Sequence, residues 1–516
     1  LAGAGFLIGC ESPGTETPAA VAAGEAAAPV KTAPDAIQTG LNTFIRVGSD
    51  NTVTVVIKHL DKGQGVTTGL PTIVADELGA DWSQMRTAFA PADADRYKNL
   101  FFGIQGTGGS TSIANSWQQL RTASAAARDM LRAAAAAQFD VPVEEISAGG
   151  GLLSHAASGR SVTFGEMAAA AADVTPPEAP ALKDASEFTL IGKEGVPRLD
   201  SDAKTDGSLK YTADVERPGM RIAVMAHPPV FGARVASVDR DAALAVDGVS
   251  DVVQISRGVA VVADSYYSAT KGRDALSIEW DQSDGELRSS DQMFADYREA
   301  VDTGEGALAR NDGDANAGIE GAERSVSARY ELPFLAHATM EPMNCVVELS
   351  EDRCDIWTAS QLPTVDVGVT SAVTGLPAEA IHVHTHFGGG SFGRRAVPDS
   401  DYVRETVEIA KAVGGSTPIK LQWSRENDMR GGRYRPMSVH QLDAGLDQSG
   451  EPQAWRHRLA IQTFMRGTSF EGLIQDGIDG AAVEGARGLP YDIGSVRVEQ
   501  TLMPNGVPTL WWRSVG

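Results

Sequence analysis

Cysteine is almost missing: Cys10, Cys345 and Cys354 are the only three in 516 residues. Three thiols are too few for a disulfide framework. No C-x-x-C exists, so the chain carries no iron–sulfur cluster of its own. Cys345 and Cys354 are spaced to pair across a hairpin in an oxidising compartment, and buried free thiols are the simpler reading. Positive charge is also short, with 44 Lys and Arg against 68 Asp and Glu. The net charge of −24 argues against nucleic acid as a partner. No apolar run is long enough to span a bilayer as a helix. What the chain does have is glycine, 55 residues, much of it in loops, and a hydrophobic content of 42% that builds real cores. The length suggests about three domains.

One stretch organises the rest. In Ile381-His382-Val383-His384-Thr385-His386-Phe387 apolar and polar residues alternate with period two, as in a strand. Gly388, Gly389 and Gly390 then break the pattern and allow a ligand close to the backbone. Val403, Thr406, Val407, Ala410 and Val413 follow on one helical face, with Asp399, Ser400 and Asp401 as N-cap candidates. A strand, a Gly-rich loop and a helix together offer N–H groups to an anion, and Arg394 and Arg395 add bidentate phosphate donors. A phosphate-bearing cofactor and a plain turn with surface arginines both fit. A rival fits too: Gly389-Gly390-Ser391-Phe392-Gly393 matches G-x-S-x-G, the nucleophile elbow of a serine hydrolase. An elbow needs its helix to start at the serine, and here Arg394–Pro398 intervene. His382, His384 and His386 can bind zinc or copper from one strand face, but no Cys or carboxylate nearby completes a set.

Leu1–Gly9 is small and apolar, like the end of a signal h-region, and Leu7-Ile8-Gly9-Cys10 resembles a lipoprotein processing site. Residues 11–34 read as a disordered tether. These features predict export, with a lipid anchor through Cys10; an ordinary apolar terminus is the alternative. Gly48-Ser49-Asp50-Asn51 is a hairpin turn signal between 44–47 and 53–57. Lys62-Gly63-Gln64-Gly65 opens onto a helix whose face is Leu70, Ile73, Val74, Glu77 and Leu78, closed by Gly79. Gly106–Ser112, including Gly108, Gly109, Ser110 and Thr111, opens onto a long helix striped by Trp117, Leu120, Ser124, Ala127, Leu131 and Ala134. Three such loops in one chain predict one large shared ligand. Thr175–Ala181 is a linker. Residues 190–281 read as a compact α/β module, and Asn311–Gly321 as a polar loop. Strands are expected at 344–349, 355–358, 419–423, 459–464 and 496–503, with a polar Arg-rich stretch at 427–436. Glu341 is functional or a cap, and Gln361, after a strand, is an amide donor to a ligand or simply polar.

Jointly these motifs resemble the molybdopterin-binding large subunits of the xanthine dehydrogenase family, in the isoquinoline 1-oxidoreductase beta-subunit branch. The likeness runs from about residue 40 to 516. It rests on Gly389–Arg395, Thr339-Met340-Glu341-Pro342, Ser360-Gln361, Trp423–Asp428 with Tyr434-Arg435-Pro436, and the two early Gly loops in permuted position. The resemblance implies an α+β multidomain molybdenum-hydroxylase large subunit. Residues 35–175 would be a permuted molybdopterin-binding segment, 176–290 an α/β hammerhead domain carrying Asp200, Lys204, Gly207 and Tyr211, and 291–516 a mixed-sheet molybdopterin-binding domain. It implies oxidation of an N-heteroaromatic compound or aldehyde with water as the oxygen source. The cofactor would be molybdenum–molybdopterin cytosine dinucleotide, with no protein ligand to the metal. Gly63, Gln64, Gly65, Gly108, Gly109, Ser110, Thr111, Gly389, Gly390, Ser391, Gly393 and Arg394 would bind it. Gln361, Phe392 and Arg513 would stand at the reacting centre. Electrons would leave through 2Fe–2S clusters on a separate small subunit, with a cytochrome c as a further acceptor in the periplasm. The family's glutamate base is expected beyond Gly516, which predicts an inactive fragment. The alternatives are a serine hydrolase using Ser391 and a non-catalytic exported lipoprotein.

Overall fold

The turn signal at 48–51 closes a hairpin. In the computed structural model of the chain, strands Ile45–Gly48 and Val53–Ile57 pair antiparallel around it. The structure describes residues 37–512 except 469 and 505. The expected signal, Cys10, the tether and Arg513 lie outside the described residues.

Val53–Ile57 continues into a strand–helix–strand unit. Helix Val66–Leu78 crosses over, and Met85–Phe89 returns parallel to Val53–Ile57. The helix buries Leu70, Ile73, Val74 and Leu78 and ends on Gly79, whose φ of 81° suits glycine. The 28-residue helix Ser112–Phe139 lies over the first helix and buries Leu120, Ala127 and Leu131 in the same core.

A second sheet holds seven strands. Their order is Val249–Ile255, Gly258–Ala263, Arg221–Ala226, Ile419–Gln422, Asn344–Leu349, Cys354–Thr358 and Ile381–Thr385. The 190–281 segment, expected as a module of its own, therefore does not own a separate main sheet. Its strand Arg221–Ala226 runs parallel to Ile419–Gln422, and their apolar side chains share one core. Only the pair Arg234–Asp239 and Ser277–Asp281 stands apart. Cys354–Thr358 and Ile381–Thr385 are parallel, joined by the crossover helix Pro363–Thr374. A third sheet of five strands collects Ala307–Asp312, Ser495–Met503, Pro452–Gln462, Ser438–Leu446 and Arg324–Leu332.

Two polar stretches are more ordered than their composition suggests. Residues 311–321 contain helix Ala315–Glu320, capped by Asp314, and 427–436 overlaps helix Arg425–Arg430, capped by Ser424. Cys345 and Cys354 are buried free thiols: Cys354 stands opposite Leu349 and Cys345 opposite Leu421. Among the described residues no helix is long and apolar enough to cross a membrane.

This topology puts function-bearing loops in one place. Ligands of parallel α/β sheets bind beyond the carboxyl ends of the strands. Residues 58–65, 90–111, 359–362 and 386–400 all leave carboxyl ends of parallel strands. The two sheets meet there: Phe89 stacks edge-on against Phe387 at 5.1 Å.

Candidate functional site: four loops stitched at the strand ends

Thr107 is the central stitch. Its hydroxyl accepts the Leu60 N–H at 2.9 Å, and its own N–H donates to the Gln361 carbonyl at 2.8 Å. Gln361 Nε2 donates back to the Thr107 carbonyl at 2.7 Å, and the Ser391 hydroxyl donates to Gln361 Oε1. Gly388 N–H donates to the Asp61 carbonyl at 2.9 Å. All four loops are thus joined by direct hydrogen bonds, and Thr107, Gln361 and Ser391 are buried. The elements behind are equally fixed. Lys58 Nζ donates to the Lys98 carbonyl, Asn115 Oδ1 and Gln119 Oε1, and burial pulls its pKa down to about 8. Burial first, then Lys58, takes the adjacent His59 down to about 3.

The Gly-rich loop is clasped by Glu341. Gly389 N–H donates to Glu341 Oε2 at 2.8 Å, and Glu341 N–H donates to the Gly389 carbonyl at 3.0 Å. Arg395 reaches Glu341 Oε2 at 2.9 Å and the Gly390 carbonyl at 2.9 Å. A Cβ on Gly389 would meet Glu341 Cβ at 2.4 Å, so glycine is required for the approach. Arg394 is buried and bidentate to Asp401, at 3.2 and 2.7 Å, with its guanidinium over the Trp423 ring. Both expectations for this pair, phosphate donors to a cofactor or surface arginines on a plain turn, are therefore corrected. Both guanidinium groups turn inward, because Asp401 and Glu341 present buried carboxylates to them.

The elbow reading fails for a similar reason. Ser391 Oγ is spent on Gln361 and on the N–H groups of Gly393 and Arg395, and the next helix begins only at Asp401. Ser400, at that helix's N-cap position, makes no side-chain cap. The histidine strand shows the expected alternation, but His384 pairs with Asp355 at 2.7 Å and stacks on Trp357. Among the described residues no three His, Cys, Asp or Glu side chains form a metal-holding group.

Two runs of backbone remain as donors. The N–H groups of Gly390, Ser391 and Phe392 donate to nothing among the described residues, and neither do those of Gly108, Gly109 and Ser110. Gly390 and Phe392 have φ of 99° and 57°, and Gly109 and Ser110 have 56° and 54°. Successive N–H groups in such conformations form anion-binding concavities, and the second run opens the 28-residue helix. Gly63 and Gly65 also take positive φ, and their turn is closed internally by Asp61 and Gln64. Thr111 is engaged by Asn99 at 2.7 Å. Phe392 projects from the loop, 40% exposed, edge-on to Trp512. Sequence reasoning missed Thr107 and Asp61 as stitches. Thr107 was visible only as a small residue inside Gly106–Ser112, and its partners lie far away in the chain.

Models of the molybdopterin cofactor-binding domain match residues 16–242 and 301–516. The chain belongs to the molybdopterin cofactor-binding family. Among its relatives is the beta subunit of isoquinoline 1-oxidoreductase from Brevundimonas diminuta, 28% identical, with 92% of this chain and 66% of the relative aligned. Another is the membrane-bound aldehyde dehydrogenase (pyrroloquinoline-quinone) of Gluconacetobacter polyoxogenes, 28% identical over 91% of this chain and 62% of the relative. The chain thus spans less than two thirds of the length of these relatives. The solved aldehyde oxidoreductase of Desulfovibrio gigas aligns with a TM-score of 0.48 at 18% identity, over 62% of this chain and 39% of that one.

Proposed function

We propose that the chain is the molybdopterin-binding part of a molybdenum-dependent oxidoreductase that oxidises an aldehyde or an N-heteroaromatic compound. The observation that supports this most is the stitching of four loops at the carboxyl ends of two sheets, with two free N–H runs beside them. The donor set fits the group. A pterin dinucleotide carries phosphates and ring edges, and backbone N–H groups suit both. Gly108, Gly109 and Ser110 would hold an anionic part, and Gly390, Ser391 and Phe392 another. Gln361 Nε2 carries two hydrogens; Thr107 takes one, and the second is left for the bound group. The Thr107 carbonyl fixes which end of that amide is nitrogen, because a carbonyl can only accept, and the Ser391 hydroxyl then donates to the amide oxygen. Phe392 and Trp512 would shield the centre from water. When bound, the molybdenum–pterin group supplies the redox centre for oxygen transfer from water. The cytosine dinucleotide form, a small 2Fe–2S partner subunit, a cytochrome c acceptor and periplasmic export through Cys10 belong to the same proposal, carried by the resemblance and by Leu7-Ile8-Gly9-Cys10.

The test is elemental and nucleotide analysis of the complete gene product, purified with its small subunit from separated membrane and soluble fractions. About one molybdenum per large subunit with cytosine nucleotide released by acid is expected, following the one-cofactor geometry of the loops. A folded preparation without molybdenum overturns the reading. Extractable quinone in its place would favour the pyrroloquinoline-quinone for which the Gluconacetobacter relative is named. An empty, redox-silent protein would favour the binding lipoprotein.

A further inference from the structure

Behind Gln361 lies a carboxyl group that the cofactor reading leaves unused. Asp366 sits in the first turn of helix Pro363–Thr374 and is buried. Two hydroxyls donate to it: Ser360 to Oδ2, and Ser400 to Oδ1 at 2.6 Å. Ser360 immediately precedes Gln361. Ser400 ends the Gly-rich loop and stands at the N-cap position of helix Asp401–Ala412. A serine there normally gives its oxygen to the first helical N–H groups. Ser400 forgoes this, and holds a left-handed φ of 49°, which costs a residue with a Cβ. Its hydroxyl is spent across the loop instead, on Asp366.

The setting of Asp366 differs from that of its neighbour Asp401, which has Arg394 against it. The groups that bear electrostatically on Asp366 are the Ser360 and Ser400 hydroxyls, Asp401 and Tyr402 from the following helix, and Cys345 from strand Asn344–Leu349. Burial, opposed by the two hydroxyls and helped by Asp401, pushes its pKa up to about 6. A carboxylate in this position accepts from both serines. Once protonated, its own O–H must donate to one of them, and that hydroxyl has to turn round.

We propose that Asp366 is a positioning residue: through Ser360 and Ser400 it sets the spacing between the Gln361 turn and the Gly-rich loop. The inference rests on reading these loops as the cofactor site. It works through Gln361 and the loop rather than by touching the bound group.

The experiment is hydrogen exchange by mass spectrometry on the complete gene product with its partner, with rates corrected for intrinsic pH dependence and read from pH 5 to 8. Molybdenum content is measured on the same samples. In the native protein, exchange of peptides covering 359–362 and 388–400 is expected to speed up about tenfold as pH falls through 6. Asp366→Asn accepts from one serine and donates to the other, so it should keep its molybdenum and lose the pH step. Asp366→Ala should exchange faster at every pH and lose most of its molybdenum. A step that persists in Asp366→Asn, or native exchange rates in Asp366→Ala, overturns the inference. A native step in a protein without molybdenum upholds the positioning role and sinks the cofactor reading. Molybdenum without a step does the reverse.

Discussion

Single side chains at this site act mostly on each other. Glu341 takes donors from Gly389, Ala213, Asn344 and Arg395, so it holds the Gly-rich loop from four directions. Removing one partner of a buried ion pair costs roughly 3–5 kcal/mol, because the other charge is stranded. Glu341→Ala is therefore expected to lower the unfolding free energy by about that much through Arg395, and denaturant titration checks it. The two arginines show why residue roles were hard to read from the chain. Arg394 and Arg395 sit together after a Gly loop, as phosphate donors do. Arg395's partner Glu341 lies 54 positions away, and Arg394's partner Asp401 has the sequence position of a helix cap. Charge on a sequence does not say which way a guanidinium turns. Ser391 carries the same lesson: G-x-S-x-G was present as a string, and the hydroxyl's partners excluded the chemistry.

At the scale of elements, local signals were legible and long-range ones were not. The strand–loop–helix units were visible because periods of two and 3.6 are local properties, as at Ile381–Thr385 and Val66–Leu78. That Arg221–Ala226 would lie beside Ile419–Gln422 was invisible, since either strand alone would satisfy the same pattern. Helix Asp401–Ala412 illustrates the energetics. Burial alone would raise the Asp401 carboxyl, but Arg394, Arg257 and Arg433 outweigh it and hold it far below the usual carboxylate range. A depressed native pKa gives stability that is present above the unfolded value and lost as pH falls below it. The acid limb of the unfolding profile, below about pH 4, should therefore flatten in Asp401→Asn, whose neutral-pH stability also falls. Circular dichroism across an acid titration measures both; an unchanged acid limb would show that Asp401 does not govern it.

For the whole molecule, the decisive contact is the meeting of two sheets. Phe89 and Phe387 touch edge-to-face at 5.1 Å where the first sheet abuts the seventh strand of the second. Such aromatic pairs are worth about 0.5–1.5 kcal/mol beyond their buried area. A double-mutant cycle of Phe89→Ala and Phe387→Ala, read by denaturant unfolding, should return a coupling of about that size, and strict additivity would refute the joint. The same architecture bears on how the chain reaches its final state. Strand Arg221–Ala226 waits for Ile419–Gln422, and Ala307–Asp312 waits for Ser495–Met503, each nearly the length of a small protein further along. Pairings so remote in sequence are reached slowly, after a large loss of chain entropy. The loop around Ser391 takes its place only when the early segment carrying Thr107 and the late segment carrying Gln361 have both arrived. The site is thus among the last parts of the molecule to be completed, because its loops are fixed only after these remote pairings have formed.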